Sequence, residues 1–372
     1  MAIDAYANRF VCDLHAYEPG KPIEETAREL GLDPKDIVKL ASNENPLGPS
    51  PLAKEAMREA IEKAHLYPDG GGFLLREAIA ERLGISMEHV VLGNGSNEII
   101  ELLCHCFLNP EAELIAAEHA FVVYKLMATL FGAKYVEVPD PGFVHDLDAM
   151  AAAITERTRL VFIANPNNPT GTMVDEVALD RFMAQVPDHV VVCFDEAYFE
   201  FLENAPNTLK YLDEKNVCIL RTCSKIHGLA ALRIGYGLAS RDVAKILQKA
   251  RQPFNANAIA QAGALAGLAD AEHIERTRSV NREGREFWET AFRERGLNFI
   301  PSAANFVMVE VGDGDAVFAE MLKRGVIVRA LRSYKQPGWI RVSVGTAEQN
   351  RRGLEVFDEV MSAQGQSAGA FA

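Results

Sequence analysis

The 372-residue sequence predicts an α/β protein in two parts. One is a large unit with a mainly parallel sheet over residues 46–260; the other is a smaller α+β unit built from both termini, 1–45 and 261–372. Three observations predict it. Between about residues 90 and 239, short β-branched runs alternate with stretches of helical spacing. Those runs are apolar on both faces, as in a sheet covered by helices on both sides. After about residue 260 the pattern changes to long charged helices followed by three further strands.

In chain order, the start of the sequence is loop-rich, with a short helix expected over Pro22–Leu30. Strands are expected at VVLG (90–93), ELIAA (113–117), KYVEV (134–138), RLVFIAN (159–165), HVVVCFDE (189–196), NVCIL (216–220) and RIGYGLA (233–239). Helical spacing shows in NEIIELLCHCF (97–107), LDAMAAAI (147–154) and EVALDRFMAQV (176–186). The smaller unit takes a long charged helix over 273–296 and strands NFVMVEV (305–311), GVIVRAL (325–331) and WIRVSVG (339–345).

Bulk composition excludes some functions. With 38 basic and 52 acidic residues the net charge is −14, which disfavours a nucleic-acid partner. The apolar strands are far shorter than the roughly 20 residues of a membrane helix, and the first residues do not read as a secretory signal. The six cysteines lack C-x-x-C spacing, and Cys104 and Cys106 would point to different faces of a helix. They read as reduced thiols of a cytoplasmic protein, with no metal site expected.

In a parallel sheet, ligands bind beyond the carboxyl ends of the strands, so those ends carry the functional reading. Strand 90–93 runs into GNGSN, a turn at a helix N-terminus whose free N–H groups suit a phosphate, although such turns also serve tight geometry alone. NPNNPTG (165–171) is either a rigid turn or an amide aimed into a cleft. DEAYFEF (195–201) begins with an acid that a preceding apolar run would bury, so it needs a partner. Neighbouring strand residues face opposite sides, which argues against Asp195 and Glu196 sharing a metal. The last strand end carries Lys225 and Arg233. A cofactor with a phosphate, a protonated ring nitrogen and a carbonyl held by an amine would use all four ends, and pyridoxal phosphate has these parts.

The ordered set KLASNENPLGPSP (39–51), YPDG (67–70), GNGSNEIIEL (93–102), NPNNPTG, DEAY and SKIHGLAALRIGY (224–236) resembles the fold-type I pyridoxal-phosphate aminotransferases, and among them the histidinol-phosphate aminotransferase group. The likeness extends through AYEPGKPIEE (16–25), RQPFNANAIA (251–260), ANFV (304–307), GVIVR (325–329) and WIRVSVGTAEQN (339–350). It departs at His227 and Ala231, and at GSN in place of the commoner G-S/A-D.

The resemblance implies roles. Lys225 would form the Schiff base with pyridoxal 5′-phosphate and then act as general base and acid in a ping-pong reaction. Asp195 would pair with the pyridine nitrogen. Tyr198 and Asn168 would bond the ring's 3-oxygen, and Phe121 would stack on its face. Gly95, Ser96, Asn97, Thr222, Ser224 and Arg233 would hold the phosphate. Tyr67 would reach the cofactor phosphate of a neighbouring subunit, which implies a homodimer with shared sites. Arg341 and Arg329 would take the anionic end of the substrate, with Tyr17 as a mobile aromatic over it and Asn168 nearby. The substrates implied are histidinol phosphate and the glutamate/2-oxoglutarate pair, in histidine biosynthesis. An aromatic amino-acid (phenylalanine or tyrosine) aminotransferase and an amino-acid-phosphate decarboxylase share the same frame.

Overall fold

A computed structural model describes residues 3–12, 14, 20–363 and 365. The first strand, β1 (Val38–Lys39), is only two residues long. The next seven, β2 (Val90–Gly93), β3 (Glu113–Ala117), β4 (Lys134–Val138), β5 (Thr158–Ala164), β6 (Val191–Asp195), β7 (Val217–Thr222) and β8 (Gly235–Ala239), form one sheet in the order β2-β8-β7-β6-β5-β3-β4.

Pairing is parallel from β4 through β3, β5 and β6 to β7, and only β8 runs antiparallel to its neighbours β7 and β2. Because β8 alone is reversed, β2 points the same way as the other five. The carboxyl ends of six strands and the amino end of β8 therefore share one edge. That single reversal returns Arg233, just before β8, to the edge where Lys225 leaves β7.

Both faces of this sheet are buried. Alternate residues Phe162, Val191, Cys193 and Leu220 lie in one apolar cluster, while Val161, Ile163, Val192 and Phe194 lie in another on the opposite face. This is the period-2 alternation of strands covered on both sides. The helix Ala258–Ala269 places Ala260, Ala264 and Leu268 in the second of these clusters, where it meets the helix Pro51–Ile61.

The second sheet comprises β9 (Phe299–Ile300), β10 (Phe306–Glu310), β12 (Arg329–Leu331) and β13 (Gln336–Ser343), antiparallel in the order β12-β13-β10-β9. The helices Ala271–Glu294 and Ala347–Ala363 cover it. Fully buried Trp288, Phe292 and Phe357 fill the space, and the Trp288 indole donates to Asn350 Oδ1 at 3.1 Å.

The run GVIVRAL, expected as one strand, is two. β11 (Val326–Ile327) pairs in parallel with β1, and β12 pairs with β13. The chain changes partner at Val328 because residues 38–43 lie alongside it, where Leu40 carbonyl oxygen also accepts from Ser343 N–H. A short strand read from composition cannot reveal a partner nearly 300 residues away.

Candidate active site

The shared edge of the large sheet opens into a cavity of about 310 Å³. Its lining includes Ser96, Asn97, Phe121, Asn168, Asp195, Tyr198, Thr222, Ser224, Lys225, Arg233, Arg329 and Arg341. Residues read separately from scattered segments of the sequence thus meet in one place.

One end of the cavity is a cradle for an anion. Gly95 caps the helix Ser96–Phe107 with φ 78°, a conformation costly for a residue with a Cβ. A Cβ there would lie 2.5 Å from Arg233 Nη2, so glycine also leaves room for the guanidinium. Arg233 itself has φ 55°, and its Nη1 donates to Ala230 O at 3.1 Å and to Ser224 Oγ at 3.4 Å. Ser224 N–H in turn donates to Thr222 Oγ1 at 3.1 Å. A guanidinium, two hydroxyls and a helix N-terminus converge there, the donor set that suits a phosphate.

Asp195 ends β6 and is buried. Its Oδ2 accepts from Tyr124 OH at 2.6 Å and its Oδ1 from Ala197 N–H at 3.2 Å. Burial pushes its carboxyl above the usual carboxylate range, while those two donors and the nearby Lys225 pull the other way. A proton donor beside it, such as a protonated ring nitrogen, would complete its pairing. Glu196, the next residue, faces away from the cavity. It accepts from Arg221 at 2.9 and 3.0 Å and from Thr208 Oγ1 at 2.5 Å.

Lys225 projects into the centre. Its Nζ donates to Ser42 O at 3.2 Å and sits 5.7 Å from the centroid of the Tyr198 ring. Burial, with Arg341 and Arg233 nearby, lowers its pKa from 10.5 to about 8, although Glu44 and Asp195 oppose the shift. A lysine so poised is neutral in an appreciable fraction of molecules near neutral pH, as a nucleophile and base requires.

The far wall comes from the second sheet. Arg329 and Arg341 are cross-strand partners of β12 and β13, which puts both cations on one face of the sheet, toward the cavity. Arg341 Nη1 donates to Asn168 Oδ1, and its Nη2 donates to Ala41 O at 2.8 Å. With its oxygen engaged, Asn168 keeps its amide donors for the cavity. Phe121 lines the cavity edge-on to Tyr124, with ring centroids 5.8 Å apart.

Tyr67 is not in this cavity. It is 84% exposed and stacks on Phe254 at 4.8 Å, on a surface that also exposes Leu66, Phe73 and Leu74. Tyr17 lies outside the described residues.

Among the polar residues that sequence reasoning missed are Tyr124 and Asn43. Tyr124 follows Phe121 by three positions, a spacing that puts both on one side of a helical turn. Asn43, inside the quoted KLASNENPLGPSP, donates from Nδ2 to Tyr198 OH at 2.9 Å. Its φ of 53° is a conformation that asparagine adopts more readily than most residues.

The family profile "Aminotransferase class I and II" matches residues 35–357. The chain belongs to the class I and II aminotransferases. This aminotransferase is 58% identical over 363 residues to a protein named histidinol-phosphate aminotransferase from Akkermansia muciniphila, covering 97% of this chain and 100% of that one. A protein of the same name from Moorella thermoacetica is 46% identical, covering 95% and 92%. Among solved structures, the histidinol-phosphate aminotransferase of Sinorhizobium meliloti in complex with pyridoxal-5′-phosphate superposes with a TM-score of 0.87. It is 26% identical and covers 95% of this chain and 97% of its own. An aspartate aminotransferase from Thermus thermophilus bound to maleate superposes with a TM-score of 0.81 at 25% identity, over 95% and 99%.

Proposed function

We propose that this aminotransferase moves an amino group between histidinol phosphate and 2-oxoglutarate in histidine biosynthesis, with pyridoxal 5′-phosphate as cofactor. The observation that carries the substrate reading is the cross-strand pair Arg329 and Arg341 facing the cavity. Two cations on one wall suit a dianionic phosphate in one half-reaction and the carboxylates of glutamate in the other. The named relatives support the same substrate.

The cofactor supplies an aldehyde to capture the amine and a protonated ring that accepts electrons from the substrate carbon. The chain's residues do the rest. Ser96, Asn97, Thr222, Ser224 and Arg233 would hold its phosphate at the Gly95 cradle. Asp195 would keep a proton on the ring nitrogen, Tyr198 and Asn168 would donate to the 3-oxygen, and Phe121 would cover one face. Lys225 Nζ would tether the cofactor and, once released by substrate, would take the proton from the substrate Cα and hold it for return.

On this reading residues 46–260 form the cofactor-binding domain of a cytoplasmic enzyme, and 1–45 with 261–372 form the domain that grips substrate. The exposed apolar surface around Tyr67 pairs with a second copy of the chain, so that Tyr67 reaches the partner's cradle.

The test is a substrate comparison with purified holoenzyme and 2-oxoglutarate as acceptor. Histidinol phosphate should give the highest kcat/KM, well above phenylalanine and tyrosine. Equal or better turnover of the aromatic amino acids makes the enzyme an aromatic aminotransferase. Release of carbon dioxide without amino transfer makes it a decarboxylase.

A further inference from the structure

Tyr198 is a buried phenol whose proton has two directions to point, and the surrounding hydrogen bonds choose between them. Asn43 backbone N–H donates to Ser343 Oγ at 2.8 Å, so that hydroxyl oxygen is already used as an acceptor. The Ser343 hydroxyl donates in turn to Asn43 Oδ1 at 2.8 Å. This turns the amide oxygen of Asn43 toward β13 and its NH₂ toward Tyr198, 2.9 Å away. An amide NH₂ donates and does not accept. The phenol oxygen is therefore an acceptor from Asn43, and its own proton is left for the cavity.

Two further features hold this arrangement. Asn305 Nδ2 donates to Asn43 O at 3.0 Å, fixing the backbone at a φ of 53°. Burial pushes the Tyr198 phenol up to about 12, so it keeps the proton that it must give. Ser343 stands two residues beyond Arg341 on β13, on the same face of the strand. One strand thus carries both a wall cation and the hydroxyl that directs the phenol.

We propose that Asn43, oriented by Ser343, is a positioning residue that compels Tyr198 to donate its proton into the cavity, toward the 3-oxygen of the cofactor. The inference rests on the reading above that Tyr198 faces that oxygen. A bond donated to the 3-oxygen stabilises its anionic form and makes the titrating proton of the bound cofactor more acidic. Asparagine is needed because aspartate, which tolerates the same backbone conformation, accepts from the phenol and reverses the bond.

The experiment compares Asn43→Asp, Tyr198→Phe, the double variant and Ser343→Ala as holoenzymes without substrate. The pH midpoint of the cofactor's visible absorbance is read, with the pyridoxal phosphate dissociation constant from equilibrium dialysis. Asn43→Asp should raise the midpoint by about one pH unit, a tenfold change in proton affinity, and weaken cofactor binding. In the double variant the midpoint should equal that of Tyr198→Phe alone, because no phenol remains to be turned. An equal upward shift from Asn43→Asp in the Tyr198→Phe background overturns the proposal, since the new carboxylate then acts as a charge. A raised midpoint in Tyr198→Phe with none in Asn43→Asp overturns the Asn43 role alone. No change in Tyr198→Phe overturns the reading of Tyr198 and the proposal with it. Should Asn43→Asp fold poorly, Ser343→Ala decides in its place. It frees the Asn43 amide to turn, so a smaller upward shift that vanishes in the Tyr198→Phe background supports the proposal, and an unchanged midpoint overturns it.

Discussion

Tyr124 and Asp195, 71 residues apart, are joined by a 2.6 Å hydrogen bond in which the phenol donates to a carboxylate. Asp195 is buried, and among the described residues no cation lies within salt-bridge distance of it. The phenol therefore carries much of the work of keeping that carboxylate ionised.

Tyr124→Phe should lower kcat/KM by about tenfold to a hundredfold, the worth of one charge-assisted hydrogen bond of roughly 1.5–3 kcal/mol. The fold should survive, because the ring still stacks on Phe162 at 4.4 Å. Activity within twofold of wild type would show that the Ala197 N–H suffices.

Lys225 has a pKa lowered to about 8 in the folded chain from an ordinary 10.5. Below pH about 8 it is protonated in both folded and unfolded chains, and the whole cost of burying the ammonium is present. Between about 8 and 10.5 the unfolded chain binds more protons, so this contribution makes stability rise with pH. Cofactor-free Lys225→Met should therefore melt above cofactor-free wild type at pH 7, by roughly 2–4 °C. The gap should close as pH rises through that window. A gap independent of pH would contradict the assignment. On the role proposed for Lys225, the same substitution removes tether and base together, so turnover in the holoenzyme should drop by several orders of magnitude.

Arg341 touches Asn168 and Ala41 as well as lining the cavity, whereas Arg329 sits beside it on the neighbouring strand. Arg341→Gln should therefore harm every substrate. Arg329→Gln should harm histidinol phosphate more than phenylalanine, by about tenfold or more, because a dianion gains more from the second cation. The measurement is kcat/KM for each substrate in each variant. Equal losses at Arg329 for phosphorylated and unphosphorylated substrates would remove the phosphate role.

Tyr67 is 84% exposed in the single chain. If it completes a neighbour's site, mixing Lys225→Ala subunits with Tyr67→Phe subunits should form hybrid dimers more active than either parent. One site in each hybrid then has both native groups. Hybrids no more active than the parents would show that Tyr67 acts within its own chain or not at all.

The strand ends were legible in the sequence because a both-faces-apolar strand announces a parallel sheet, and such a sheet gathers its carboxyl ends on one edge. Gly95, Asp195, Lys225 and Arg233 could be read that way, each from its own local pattern. Tyr124 and Asn43 could not. Their importance lies in partners 71 and 155 residues away, and a tyrosine in an apolar helix looks like core until its neighbour is known. The broken run at 325–331 failed for a related reason. Its composition is that of one strand, and only the placement of β1 divides it.

The pairing of Asn43 with Ser343 spans 300 positions of the chain. During synthesis, residue 43 emerges long before residue 343 exists, and the large sheet has all of its strands by residue 239. The nascent chain can thus assemble the anion cradle around Gly95 and Arg233 while the hydroxyl that orients Asn43 does not yet exist. On the proposal above, the direction of the phenol proton is set last, with β13, so a polypeptide cut short before Ser343 would keep Asn43 and Tyr198 but lack the hydroxyl that orients the amide between them.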